Sequence, residues 1–233
     1  MAAALFLQTV ASADTLTGGA ATIDFDKPAW DTLASGLGIG SPALTLGAFF
    51  DQAQANARTQ SQLLTDVLSS TYTGQTYALN GALVLNLTGR HTQPTTFAYA
   101  PGNLAGHTGS IGLGGVARFE TLLGPVLFGD YTFQYDSART LAGGTGWYLQ
   151  GNIPPAGALF DLLNVSIVES PGTFTISGDL GVSYELANFL FGTPGDTLKD
   201  VGNFTFTATT VPEPATFVLL GLGALLPLLR RKK

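Results

Sequence analysis

Much of this chain alternates apolar and polar residues with a period of two. The segment from Tyr131 to Tyr135 places three aromatic side chains on one face and two polar side chains on the other. Successive side chains of a β-strand point to opposite faces, so this alternation predicts half-buried strands. The same pattern recurs in short rows of apolar residues, namely Leu83/Leu85/Leu87, Phe97/Tyr99, Phe174/Ile176, Val182/Tyr184/Leu186 and Phe204/Phe206/Ala208.

Turn sequences rich in Gly and Pro separate these rows. Examples are Pro101-Gly102-Asn103, Ser170-Pro171-Gly172 and Pro194-Gly195-Asp196. Many short strands separated by frequent turns are typical of all-β architectures. We therefore expect a mainly β fold, either a β-sandwich or a jelly-roll-like domain, over residues 14–210.

One segment departs from this period. Apolar residues between positions 49 and 68 recur at near-helical spacing, and Ser41 followed by Pro42 suits the N-cap and first helical position. We expect one α-helix near residues 43–69, packed by its apolar stripe against the sheet. A partner-binding helix is the alternative. The stripe consists of Phe49, Phe50, Ala53, Ala57, Leu64 and Leu68.

Length, charge and cysteine content exclude several classes of protein. A chain of 233 residues fits one ordinary domain with terminal appendages. The net charge is −6 and the body has no basic stripe, which argues against nucleic acid as a partner, because phosphates must be neutralised by Lys and Arg. The absence of Cys removes disulfides, thiol catalysis and thiolate metal sites.

The N-terminal residues have the pattern of a signal peptide. An apolar stretch from Ala2 to Val10 leads into Ala11-Ser12-Ala13, and small residues at Ala11 and Ala13 suit signal peptidase. We place the cleavage between Ala13 and Asp14. No Lys or Arg precedes Lys27, which leaves open a truncated signal peptide or an ordinary buried segment.

The C-terminal residues give the sharper signal. Pro212-Glu213-Pro214 is followed by an uncharged apolar run over 215–229 and then by the basic cluster Arg230, Arg231, Lys232 and Lys233. As a helix the run would be about 22 Å long, which is a short transmembrane span. By the positive-inside rule the basic cluster stays cytoplasmic, so residues 14–210 are expected to be extracytoplasmic.

These three features, in this order at the C-terminus, resemble the PEP-CTERM sorting domain over residues 211–233. In that family the tail is recognised by an exosortase, a membrane-embedded cysteine enzyme that processes exported proteins. The resemblance implies that Pro212, Glu213 and Pro214 form the recognition element. It also implies exosortase and the inner membrane as partners, with transient anchoring before release to the cell surface or extracellular matrix. A plain membrane anchor is the alternative.

The search for catalytic residues gives no enzyme class. His91 and His107 lie outside any nucleophile-elbow or metalloprotease pattern, and both are expected in loops at strand ends. Gly112-Leu113-Gly114-Gly115 lacks the Lys and Ser/Thr of a phosphate-binding loop, which favours a strand or bulge. We therefore expect no enzyme, no catalytic residue and no cofactor.

Two pairs of aspartates and three aromatic residues remain as binding candidates. Asp24 with Asp26, and Asp130 with Asp136, could hold Ca²⁺ or act in glycoside hydrolysis. Without calcium-loop spacing, solvated acids at strand ends and no metal site are expected. Trp30, Trp147 and Tyr148 could stack on sugars, although core packing is favoured.

The resulting hypothesis is an exported, non-enzymatic structural or matrix protein. Association with exopolysaccharide or biofilm production is implied by the PEP-CTERM resemblance alone. The alternative is a carbohydrate-binding β-sandwich module that uses the aromatic residues Trp30 and Trp147.

Overall fold

The computed structural model describes residues 13–35, 44–68, 70–81, 86–121, 124–191 and 194–212. Its strands are β1 (Asp14–Phe25), β2 (Leu44–Asp51), β3 (Gln75–Leu79), β4 (Asn86–Leu87), β5 (Arg90–His91), β6 (Ala98–Ala100), β7 (Asn103–Thr108), β8 (Ile111–Thr121), β9 (Gly124–Gly129), β10 (Thr132–Tyr135), β11 (Trp147–Gly151), β12 (Gly157–Ser170), β13 (Thr173–Val182) and β14 (Asp200–Pro212). Its α-helices are α1 (Lys27–Ser35), α2 (Gln52–Asn56), α3 (Gln60–Thr65) and α4 (Tyr184–Leu186).

Eight of these strands close into an antiparallel barrel. Their order is β1-β3-β8-β10-β11-β12-β13-β14, and β14 pairs back onto β1. The predicted mainly β class is confirmed, but the sheet forms a closed barrel rather than a sandwich or jelly roll. The reason is the ladder from Asp14–Pro212 to Phe25–Gly202, which joins the two edges of one sheet. We call this ladder the seam.

Strand β8 belongs to two sheets. Its residues 111–114 pair with β3 and β10 in the barrel, whereas residues 115–121 pair with β2 and β9 in a smaller sheet. The switch occurs at Gly115, where φ is 144° and a Cβ atom would lie 2.8 Å from the ring of Tyr77. Only glycine fits this close approach. The Gly112–Gly115 segment is therefore part of a strand, as predicted, and it is buried.

The predicted helix over residues 43–69 is wrong. Residues 44–51 form β2, and two short helices follow. The Asp51 carboxylate accepts the Gln54 N–H at 2.8 Å, and the Thr59 hydroxyl accepts the Gln62 N–H at 3.4 Å. Each is the N-cap of a capping box. An N-cap residue has an extended backbone, so two of them interrupt any continuous helix through this segment.

One predicted strand row also ends early. Val182 is the last residue of β13, whereas Tyr184 and Leu186 belong to α4. The Ser183 hydroxyl accepts the Leu186 N–H at 3.0 Å and so caps the helix. Leu83 and Leu85, from another predicted row, lie outside the described residues.

Aromatic side chains fill the barrel. The end where β14 finishes, called the tail end, holds the cluster Phe97, Tyr99, Phe133, Trp147 and Phe174. The opposite end, called the far end, is covered by α1, whose Trp30 is fully buried against Phe25, Phe119 and Phe160. Burying each such side chain contributes about 1.5–3 kcal/mol, so the interior is a packed core.

A buried ion pair joins three loops outside this core. Arg90 donates from Nε to Asp130 Oδ2 at 2.7 Å and from Nη2 to Oδ1 at 2.6 Å, and both side chains are 0% exposed. Arg90 Nη1 also donates to the carbonyl oxygen of Ala55. The pair therefore ties the β4–β5 hairpin and the end of α2 to the β9–β10 turn.

Candidate functional site

The sorting tail predicted from the sequence leaves the barrel directly from the last seam strand. Strand β14 reaches Pro212, which lies opposite Asp14, the first residue of β1. The Thr15 hydroxyl donates to the Val211 carbonyl at 3.3 Å, and the Thr210 N–H donates to the Gly172 carbonyl at 3.1 Å. Pro212 is exposed and ends the ladder, because it has no N–H to continue the pairing.

A groove of about 560 Å³ opens beside this exit. The β6–β7 turn and the β12–β13 turn form its walls. The Gly102 N–H donates to Glu169 Oε2 at 2.8 Å, which links the two turns and fixes the carboxylate. We call this surface the tail mouth; its residues are Asp14, Tyr99, Pro101, Gly102, Glu169 and Pro171.

The tail mouth is acidic. Burial raises the pKa of the Tyr99 phenol, and the carboxylates of Glu169 and Asp14 raise it further. The described residues that line the groove include these two carboxylates and no Lys, Arg or His. The surface next to the tail exit therefore carries negative charge and a neutral tyrosine hydroxyl.

The structure covers part of the predicted processing sites. Ala13 is half-buried and immediately precedes β1, while Ala11 lies outside the described residues. Glu213, Pro214, the apolar run 215–229 and the basic cluster Arg230–Lys233 also lie outside them. Among the helices that the structure does describe, none is long and apolar enough to cross a bilayer.

Comparison with protein families decides what the tail is. Residues 210–233 match the PEP-CTERM protein-sorting motif. The predicted resemblance is thereby confirmed, and the motif implies an exported protein that is sorted by an exosortase. The matched PEP-CTERM segment includes Thr210, Val211 and Pro212, so it begins inside the seam strand of the barrel.

The remaining comparisons say little about the barrel. No curated protein matches the chain in sequence. Among solved structures, the C-terminal domain of HtaA from Corynebacterium glutamicum is similar with 12% identity and a TM-score of 0.45, over 85% of this chain and 99% of that one. A TM-score of this size carries no conclusion about function.

The aromatic residues proposed for sugar stacking are mostly in the core. Trp30 is 0% exposed, and Trp147 is 6% exposed and stacks on Phe133 with 5.0 Å between ring centroids. Tyr148 is half-buried on the opposite strand face, with the Arg139 guanidinium 4.5 Å from its ring centroid. The predicted core packing of the two tryptophans is confirmed, and neither can offer a ring face to a ligand.

The two histidines lie in strands rather than loops, which corrects the prediction. His91 is exposed in β5, opposite Asn86. His107 is half-buried in β7 and stacks on Trp147, with centroids 5.0 Å apart. Its Nδ1 donates to the Leu104 carbonyl at 2.9 Å. The strand positions of both histidines were not predicted, because the glycines beside them suggest loops but belong to short hairpins.

The four candidate aspartates stabilise local structure. Asp24 accepts the Gly74 N–H at 2.6 Å, Asp26 accepts the Ala29 N–H at 3.2 Å at the start of α1, and Asp136 accepts the Ala138 N–H at 2.9 Å. Asp130 is held by Arg90 and is not solvated, contrary to the expectation. Within the described ranges, no group of three or more His, Asp or Glu side chains is placed to hold a metal ion.

The outer surface of the barrel carries rows of hydroxyl groups whose alignment from strand to strand could not be predicted from the sequence. The seam and its neighbouring strands β3, β13 and β12 align small uncharged side chains in register. We call these rows the hydroxyl face. They are Thr76–Thr22–Thr205–Ser177–Ser166, Ala78–Ala20–Thr207–Thr175–Val168 and Gly18–Thr209–Thr173–Ser170.

Proposed function

We propose that this chain is an exported, non-enzymatic protein of the cell surface or extracellular matrix. In this proposal an exosortase recognises Pro212, Glu213 and Pro214 while the apolar run holds the chain transiently in the inner membrane. The observation that carries the proposal is the PEP-CTERM motif at residues 210–233, fused directly to the last strand of a folded barrel. The structural contacts of the four candidate aspartates favour a role without catalysis.

Sorting is tested in the producing cells with variants that leave the barrel unchanged. Glu213→Gln combined with Pro214→Ala alters the motif beyond the seam, and deletion of residues 213–233 removes the tail. Leu141→Ala is the matched control, because Leu141 is 90% exposed and lies outside the tail. We expect the motif variant to keep the unprocessed mass, and both the motif variant and the deletion to lose the surface location that the control retains. Normal processing of the motif variant would contradict the proposal.

The hydroxyl face favours a second candidate function, the binding of a neutral polysaccharide. None of its residues is charged, and five adjacent strands present hydroxyls in one row of Thr and Ser. Such a surface can donate and accept hydrogen bonds with a polyhydroxylated chain without needing an ionic group. This candidate agrees with the exopolysaccharide association implied by the motif, and it replaces the buried tryptophans as the binding surface.

The test compares Thr205→Val/Thr207→Val with Thr205→Ser/Thr207→Ser. Valine keeps the branched shape and removes two hydroxyls, whereas serine keeps the hydroxyls. If each neutral hydrogen bond contributes about 0.7 kcal/mol, the valine variant should bind the organism's own polysaccharide about tenfold more weakly in affinity electrophoresis. Equal binding by both variants would remove this candidate.

A further inference from the structure

The distance between the barrel and the membrane is limited by the length of chain that joins them. Pro212 is both the last residue of β14 and the first residue of the Pro-Glu-Pro motif. The apolar run begins at Ala215, three residues later. Three residues span at most about 10 Å when fully extended. Under the proposed function, Pro212 therefore stands within about 10 Å of the start of the membrane segment, and the tail mouth lies beside Pro212 because Asp14 pairs with it.

This spacing leaves no free linker for an enzyme that reads the motif. An active site that encloses residues 212–214 also meets the part of the barrel from which they emerge. That part is the tail mouth, whose Tyr99 in β6 and Glu169 in β12 lie next to the two turns beside the exit. The seam holds Val211 and Pro212 against Thr15 and Asp14, so the motif cannot move away from this surface without breaking the last pairs.

The tail mouth can face either the lipid headgroups of the membrane or the surface of a protein, and its charge distinguishes between the two. Its described carboxylates are Asp14 and Glu169. Cleavage after Ala13, as predicted, gives Asp14 an ammonium group that offsets its own carboxylate, so the net negative charge of the mouth comes from Glu169. Anionic lipid headgroups repel such a surface, whereas a basic protein surface attracts it. The interaction between Gly102 and Glu169 also fixes one carboxylate in place before any partner arrives, which lowers the entropic cost of binding.

We propose that the tail mouth is a docking surface for the extracytoplasmic face of the processing exosortase, and that this face is positively charged. The proposal rests on the proposed function and extends it, because the recognised substrate becomes the motif together with the barrel surface beside it. Glu169 is the central charged contact, and Pro101 and Pro171 give the rigid rim around it.

The experiment follows conversion of precursor to processed protein in the producing cells by pulse-chase labelling and intact mass. Glu169→Lys reverses one charge in the tail mouth. Asp200→Lys is the control, because it reverses the charge of an exposed carboxylate at the start of β14, at the opposite end of the strand from the tail. We expect Glu169→Lys to slow processing on the order of tenfold, as expected for a charge contact at an interface, and the control to be processed normally. Thermal melts of both purified variants check that the barrel is folded.

A second experiment inserts a spacer, so that the effect of contact with the barrel can be measured apart from recognition of the motif. Ten Gly/Ser residues inserted between Thr210 and Val211 keep Val-Pro-Glu-Pro intact and add a flexible span of roughly 17 Å. In the spacer chain, Glu169→Lys should no longer affect the processing rate. A spacer chain that is not processed at all would also support docking, provided that Glu169→Lys slows the parent chain.

Three results would overturn the proposal. Glu169→Lys could be processed at the parent rate, it could be slowed equally with and without the spacer, or it could be processed faster, as expected if the mouth faces anionic lipid. In each case the sorting proposal is judged separately by Glu213→Gln/Pro214→Ala. Loss of processing in that variant alongside normal processing of Glu169→Lys would leave sorting intact and remove only the docking surface.

Discussion

Replacing Arg90 by Met tests how much the fully buried Arg90–Asp130 ion pair contributes to stability. The substitution removes the two hydrogen bonds to Asp130, at 2.7 and 2.6 Å, and those that Nη1 donates to the Ala55 and Arg58 carbonyls. It leaves the Asp130 carboxylate buried without its cation. Breaking such a pair costs about 3–5 kcal/mol of unfolding free energy, because the remaining charge is neither hydrated nor neutralised. With a urea slope of about 2 kcal/mol per molar, the midpoint of unfolding should fall by about 2 M.

The pH dependence of this loss identifies its cause. Burial already raises the pKa of Asp130, and Arg90 is the neighbour that lowers it, so Arg90→Met should raise the pKa further. A carboxyl group whose pKa is higher in the folded state than its unfolded value of about 3.9 favours folding when protonated. The destabilisation should therefore be largest at neutral pH and should shrink as the pH falls through the raised pKa.

A second substitution provides the decisive comparison in urea titrations. In Arg90→Met/Asp130→Asn the buried group is neutral, and Asn tolerates the positive φ of 46° at this position, so at least half of the lost stability should return. Lys27→Met removes a cation from an exposed pair with Asp31 and should leave the midpoint almost unchanged. If Arg90→Met behaves like Lys27→Met, or if its penalty does not depend on pH, the reasoning is refuted.

Three further predictions concern the tail, the core and a surface ion pair. A chain that stops after Pro212 should melt at the same temperature as the full chain, whereas one that stops after Thr207 should melt about 10 °C lower, because it loses the last seam pairs. Trp147→Ala should cost about 3–5 kcal/mol in urea unfolding and leave polysaccharide binding unchanged per folded molecule, since the ring is buried. Arg139→Ala should raise the Glu185 pKa in NMR titrations, because the hydrogen bond from Arg139 is the largest cause that lowers it. The stability that depends on this lowered pKa is present above the unfolded value of about 4.3 and is lost as the pH falls.

Local patterns predicted the strands of the barrel but not its closure. The alternation of Phe204, Phe206 and Ala208 with threonines correctly assigned the inner and outer faces of β14. Nothing local indicates that Asp14 pairs with Pro212, since the pairing of residues almost two hundred positions apart depends on the whole sheet. A period of two fixes which side chains point inward, and a sandwich and a barrel satisfy it equally well.

The candidate site was also predicted only in part, because some of its residues come together through contacts between distant parts of the chain. The tail motif is a linear signal, so its position could be assigned from sequence, whereas cleavage after Ala13 stays a prediction. Glu169 was missed because it reaches the tail mouth only when the β12–β13 turn meets the β6–β7 turn at Gly102. The turn sequence Ser170-Pro171-Gly172 could have placed Glu169 at a strand end, but not beside the exit of a strand forty residues later.

The seam also determines how the barrel responds to mechanical tension through its tail. If the tail is anchored as proposed, a pull on it acts along the axis of β14, a strand with neighbours on both sides, β1 and β13. The hydrogen bonds of antiparallel ladders lie perpendicular to that axis, so the force shears many of them at once instead of peeling them one at a time. Under the proposed transient anchoring, a barrel attached in this way would resist a pull on its tail better than one attached through an edge hairpin such as β6–β7.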